Sequence, residues 1–184
     1  MYIHPSIELN EEQEVWKNIP NSVSQQVSNM GRVRNKIKDR FVHQSYATKS
    51  YLCFAMDVNG GKVKTTTKVH SVVMKTFKPN RPLGFVIDHI NNNKNDNRLI
   101  NLQYVSNRYN IIKQKINSGL YKYVGVQKKS KSTYSCEFRL NGSERKVANF
   151  KKEEDALLFY YKELLQIDKS CAKLLKQTYS NIIK

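Results

Sequence analysis

Acidic side chains are scarce in this chain: 15 Asp and Glu stand against 32 Lys and Arg over 184 residues, leaving a formal charge of +17 and a pI near 9.8. The imbalance calls for a polyanionic partner, of which nucleic acid is the commonest. Cysteine is scarce too. Cys53, Cys136 and Cys171 are far apart, odd in number and without any C-x-x-C spacing, which excludes a disulfide framework and a clustered zinc site. They are expected as reduced fillers. Long apolar runs are absent: nothing approaches the roughly 20 residues of a membrane-crossing helix, and Met1 opens a mixed polar segment rather than a charged start and an apolar stretch. An intracellular protein with no membrane partner is the expectation. The stacking motifs of common single-strand RNA binders are also missing, which favours duplex DNA over RNA.

What is present is unevenly placed. Residues 1–60 carry 7 basic and 6 acidic side chains, residues 61–112 carry 9 and 2, residues 113–152 carry 11 and 2, and residues 153–184 carry 5 of each. The polyanion is therefore expected to meet the middle of the chain.

Local patterns predict an α+β protein. Gly31 is expected in a tight turn before a strand at 32–35, and alternating runs on either side of Asn59-Gly60-Gly61 predict a hairpin, because Asn and Gly accept positive φ. Val69, Val72, Val73 and Phe77 form the stripe of a short helix closed by Pro79 and Pro82, with a strand to follow at 84–89. Ser106 or Asn107 is a fitting N-cap for a helix ended by Gly119. Residues 123–150 read as three strands with turns at 130–133 and Gly142. A helix starting near Glu153, its acids in the first turn, is expected to continue towards the C-terminus.

The segment 87–110, IDHINNNKNDNRLINLQYVSNRYN, holds eight asparagines around one Asp-His pair. Asp88 and His89 close an apolar strand, a placement that fixes the backbone while the side chains reach the loop. A carboxylate is a hard oxygen ligand suited to Mg²⁺, and an adjacent imidazole can take a proton from an attacking water. A second oxygen ligand has to return from elsewhere, and Asn110, in the first turn of the expected helix, is placed for it. Asn91, Asn92, Asn93, Asn95 and Asn97 are expected to fill a tight loop, where their side chains mimic backbone turns.

The pattern VHSVVMKTF followed by that segment resembles the HNH endonucleases of the phage and intron-encoded homing type, with a ββα-metal core. The resemblance implies that Asp88 and Asn110 hold one Mg²⁺ or Mn²⁺, that His89 is the general base and that Asn101 orients it. Arg98 follows the family's N-R pattern and is expected to reach a backbone phosphate, while His70 is expected to be structural. Residues 15–35, with Trp16, Ile19, Pro20 and VSNxGRVR, resemble the NUMOD4 module that often precedes such nucleases, with Arg32 and Arg34 as its candidate DNA contacts. Residues 123–165, with Tyr123-x-Gly125-Val126 and Asn141-Gly142, resemble the AP2 DNA-binding domain, whose sheet lies in the major groove. Alternation predicts that Val124, Val126, Cys136, Phe138, Leu140 and Val147 pack on its helix. The opposite face would then present Gln127, Lys129, Tyr134, Arg139, Arg145 and Lys146 to DNA.

The expected organisation is a β-rich NUMOD4-like module at 1–60, an HNH core at 61–112, a basic helical linker at 113–122 that offers Lys113 and Lys115 to DNA, and an AP2-like domain at 123–184. The expected function is a metal-dependent DNA endonuclease, nicking as a monomer or weak dimer in the cytoplasm of a bacterial or phage-infected cell. The alternative is a DNA-binding regulator that retains an inert nuclease fold.

Overall fold

The computed structural model describes residues 13–48, 51–58, 61–140 and 144–184. The fold is α+β, and the chain divides into two compact units between Val105 and Ser106. Each has its own buried core.

In the first unit, β1 (Trp16–Asn18), β2 (Gln25–Ser28), β3 (Val33–Asn35) and β4 (Arg40–Phe41) make one antiparallel sheet in sequence order. The expected turn at Gly31 is there, with φ +78°. A Cβ on Gly31 would lie 2.9 Å from the carbonyl oxygen of Asn97, so glycine is what lets this turn pack against the asparagine loop. Beside it the Leu99 N–H donates to the Asn29 carbonyl at 2.7 Å, and the Asn29 side chain accepts from the Val15 N–H at 2.7 Å.

A second sheet follows, made of β5 (Ser45–Thr48), β6 (Tyr51–Val58) and β7 (Val63–Lys68). The hairpin between β6 and β7 is the one expected. Of its turn, Asn59 and Gly60 lie outside the described residues, and Gly61 has φ +84°. This hairpin straddles the boundary expected at 60/61, so β6 and β7 act as one piece. Asp57 ties the two sheets together: its carboxylate accepts from the hydroxyls of Ser22 and Ser24, and its N–H donates to Gln25 Oε1 at 2.9 Å. Burial alone would raise the Asp57 carboxyl, but the serine hydrogen bonds more than offset it and hold it below the usual range.

Helix α1 (Val69–Phe77) matches its expected span, burying Val69, Val72, Val73 and Met74 against Ile19, Val27, Val33, Phe54, Leu99 and Leu102. After it, β8 (Phe85–His89) pairs with β9 (Leu102–Ser106) across the loop, which ends in a 3-10 turn at Leu99–Asn101.

The second unit begins at helix α2 (Asn107–Ser118). Ser106 caps it, its Oγ accepting from the Tyr109 N–H at 3.0 Å, and Gly119 ends it with φ +63°. The helix is unbroken, so the boundary expected at 112/113 falls inside it and no separate linker starts there. Strands β10 (Val126–Ser130), β11 (Thr133–Leu140) and β12 (Glu144–Phe150) form the three-stranded sheet. The turn expected at Gly142 lies outside the described residues. Helix α3 (Glu153–Ile167) covers the sheet with Ala156, Leu157, Tyr160 and Leu164. It does not run on as expected. Asp168 takes an extended backbone (φ −152°) and caps a new helix, α4 (Lys169–Thr178), by accepting from the Cys171 N–H at 3.1 Å. All three cysteines are buried free thiols, as expected of fillers.

The β12 face differs from expectation. Cys136 pairs with Ala148 and Phe138 with Lys146, whereas Glu137 pairs with Val147. Directly paired residues share a face, so Lys146 and Tyr134 belong to the side of the buried Cys136 and Phe138, and Val147, 51% exposed, belongs to the other. A slip of one residue in β12 reverses the whole strand, and its sequence, ERKVANF, groups charged and apolar residues instead of alternating them, so it does not fix the register.

Gly125 explains the Y-x-G-V motif. It has φ +87°, and a Cβ there would lie 2.5 Å from the Tyr160 ring on α3. Gly125→Ala should lower stability by about 1–3 kcal/mol from backbone strain and overpacking. A urea titration followed by far-UV circular dichroism reads this, and an unchanged midpoint would refute the packing described.

Candidate active site

Burial increases along β8, from the half-buried Phe85, Val86 and Ile87 to the buried Asp88 and His89. The strand thus delivers two titratable side chains from a fixed backbone into the mouth of the asparagine loop. That loop is built largely of amide side chains standing in for backbone groups. Asn91 Oδ1 accepts from the Asn93 N–H at 2.9 Å, and Asn93 Oδ1 accepts from the Asn95 N–H at 3.0 Å. Asn92 takes φ +64°. The asparagine run therefore does what its composition suggests.

Asn97 is the exception. It is buried, and its Oδ1 lies 3.2 Å from His89 Nε2, while its Nδ2 donates to the Asn95 carbonyl at 3.2 Å. The second bond fixes which end of the amide faces the imidazole. With an oxygen at Nε2, that nitrogen carries the proton, and the lone pair sits on Nδ1. A side chain held against His89 is thus Asn97, expected from the sequence as a turn filler and as the Asn of the family's N-R pattern. Asn101, expected in the orienting role, instead accepts from the Asn91 N–H at 3.0 Å and donates to the Asp96 carbonyl at 2.7 Å. It holds both ends of the loop and touches His89 only through it.

Asp88 accepts from Gln103 Nε2 at 2.8 Å, a contact that no sequence signal marks, since Gln103 is an ordinary strand residue. Asn110 lies half-buried in the first turn of α2, within the second unit. Among the described residues no group of three His, Cys, Asp or Glu side chains gathers as a metal site. The Asp88 carboxylate is a hard oxygen donor, of the kind taken by a cation that keeps most of its own water and binds phosphate oxygens.

His70 stands against His89 edge to face, ring centroids 5.2 Å apart, and Tyr51 packs on His70 at 4.9 Å with the rings tilted by 57°. The His70 Nδ1 is buried and has no hydrogen-bond partner. Burial, then the charges of His89 and Lys68, push His70 down to about 4, so it is a neutral wall behind His89.

The expected DNA contacts differ in their surroundings. Arg98 grips Asp96 with two bonds, Nε to Oδ1 at 2.8 Å and Nη2 to Oδ2 at 2.7 Å, and holds that carboxyl down to about 2. Arg32 is paired in the same two-bond way with Glu14 and lies over the Phe41 ring. Arg34 lies over Trp16 at 4.4 Å and donates to Gln26. In the second unit Lys113 is buried, whereas Lys115, Gln127 and Lys129 are exposed. Arg139 and Arg145 pair across β11 and β12, with their side chains outside the described residues. Lys146 is exposed but lies on the helix side of the sheet, 3.5 Å from Glu163 on α3, and not on the opposite face as expected.

Comparisons with known proteins cover the segment that carries Asp88 and His89. Residues 67–111 match the family model of an HNH endonuclease, and residues 14–56 match the NUMOD4 motif. Two proteins of Acanthamoeba polyphaga mimivirus, each described as an uncharacterized HNH endonuclease, are similar. One is 31% identical over 109 residues, covering 56% of this chain and 26% of the relative, and the other is 30% identical over 95 residues, covering 52% and 28%. A solved structure described as DNA binding and cleavage by the HNH homing endonuclease I-HmuI aligns with a TM-score of 0.51 and 29% identity, over 58% of this chain and 61% of that one. The chain thus spans about a quarter of the length of the two viral relatives. The HNH and NUMOD4 resemblances stand on these matches. Neither family match reaches residues 123–184, whose AP2-like resemblance rests on its own motif.

The neutral, buried His70 makes a pH prediction. The unfolded chain binds a proton there below its ordinary value of 6.5 and the folded chain only near 4, so folding stability is full above 6.5 and is lost as pH falls towards 4. The contribution is at most about 1.4 kcal/mol per pH unit. Urea midpoints at several pH values should fall across this window for the wild type and stay flatter for His70→Asn; parallel profiles would refute the assignment.

Proposed function

We propose that the chain is a DNA endonuclease that hydrolyses one phosphodiester bond at a time. The observation that carries the reading is the hydrogen bond between His89 Nε2 and Asn97, which holds the imidazole at the end of a buried strand beside Asp88. His89 takes a proton from water, the oxygen of that water attacks phosphorus, and the bond to the 3′-oxygen breaks as that oxygen takes up a proton from solvent. The products carry a 5′-phosphate and a 3′-hydroxyl. Asp88 is proposed to hold a divalent cation, Mg²⁺ or Mn²⁺, with Asn110 as the second ligand that the family resemblance assigns. When bound, that ion supplies charge stabilisation to the phosphate and the leaving oxygen. Gln103 fixes the Asp88 carboxylate, and Asn97 fixes the imidazole tautomer. The HNH segment, the homing-endonuclease alignment and the net charge of +17 support DNA as the substrate. One such site per chain cuts one strand, so a monomer nicks.

Supercoiled plasmid should be converted to the nicked circle by the wild type with Mg²⁺, and not in EDTA or by His89→Ala. Equal conversion by His89→Ala would leave the regulator reading in its place. A second variant tests how the base is held. Gly31→Ala touches neither substrate nor base, yet its Cβ would displace Asn97, so nicking should fall on the order of 100-fold with DNA binding retained. Undiminished nicking by Gly31→Ala would remove Asn97 from the mechanism.

A further inference from the structure

Tyr51 belongs to no motif, yet it marks a second feature beside His89. Its ring centroid is 6.2 Å from that of His89, and two ammonium groups converge on it: Lys68 Nζ at 4.8 Å and Lys94 Nζ at 4.9 Å. The lysines come from separate elements, the last residue of β7 and the middle of the asparagine loop. Both are exposed, and among the described residues no carboxylate pairs with either. Arg32 and Arg98, by contrast, each have an acid gripping the guanidinium.

Two cations sharing one ring lie within about 10 Å of each other and repel. The negative face of the ring offsets part of that repulsion and keeps the flexible stems from straying. What completes such an arrangement is an anion, and its position beside the base restricts the anion to something that reaches His89. On the endonuclease reading above, that is the sugar-phosphate strand itself.

We propose that Lys68 and Lys94, steadied by Tyr51, bind a backbone phosphate next to the one being cut and so hold the strand against His89. Ammonium groups suit this role because they bind phosphate as point charges without demanding one orientation. The Tyr51 ring, packed at a tilt on His70, couples their position to the wall behind the base.

The test is binding of the full chain to a mixed-sequence DNA duplex in EDTA, with affinity followed against salt concentration for the wild type, Lys68→Gln, Lys94→Gln, both together, and the double Lys→Arg variant. Leaving one phosphate without its cation lowers the slope of log K against log salt by about 0.9. The slope of the double Gln variant should therefore fall by about 0.9 or more, with the double Arg variant keeping the wild-type slope. A drop under about half a unit in the double Gln variant overturns the proposal. So does an equal drop in the double Arg variant, which would trace the change to disturbed packing. Binding in EDTA is read without cleavage: a wild type that binds with the expected slopes but never nicks sinks the endonuclease reading alone, and one that nicks while the slopes stay equal sinks this proposal alone.

Discussion

The site depends on one buried hydrogen bond, that between His89 and Asn97. An imidazole at the end of a strand could carry its proton on either nitrogen and could swing about its χ angles. A buried amide whose own nitrogen is already committed to a carbonyl removes both freedoms. The bond is worth little in net stability, since folding exchanges it for bonds to water, but leaving either partner unsatisfied in the interior would cost about 1–3 kcal/mol. Much of the surrounding structure serves to keep Asn97 where it is. Gly31 leaves room for its backbone, Asn29 takes the Leu99 N–H just beyond it, and Asn101 ties the start of the loop to its end. The N-terminal sheet is therefore part of the active-site support as well as a candidate DNA-binding module.

This arrangement explains which parts of the site are legible in the sequence. Helix α1, strand β8 and the cap and stop of α2 are, because local chemistry decides them: an apolar stripe, an apolar run before Asp-His, a serine and a glycine at the two ends. The use of asparagine as turn filler is legible for the same reason. Asn97 is not, because eight similar amides lie within one stretch, and only the fold decides which of them turns inward. Gln103, Tyr51, Lys68 and Lys94 reach the site through strand pairing and loop placement, which leave no local trace. The face of β12 is misread from sequence because its residues do not alternate cleanly, and the break at Asp168 because an acid inside a polar helical stretch reads as surface until its partners, Ser106, Ser170 and Cys171, are known.

His70 illustrates a cost accepted at the site. Its Nδ1 is buried without a partner, an arrangement the interior penalises far more for a charged ring than for a neutral one. Burial pushes its protonation down to about 4, and the result is an uncharged edge packed against His89. Were His89 to accept a proton, as proposed, a neutral His70 would add no like charge beside it.

Net charge alone overstates how much of this surface is available to a polyanion. Arg98 and Arg32 are each held by an acid in paired bonds, and Lys146 and Lys122 lie against glutamates. For any of these, phosphate has to displace a carboxylate, and exposed pairs of this kind are worth about 0–1 kcal/mol. The exchange is therefore nearly neutral in energy while it retains geometry: the acid keeps the cation ordered until DNA arrives. Lysines resting on an aromatic ring achieve the same ordering without an anion to expel. On the proposed reading, that difference gives Lys68 and Lys94, beside His89, more to gain from a phosphate than the acid-gripped arginines, for which exchange suffices.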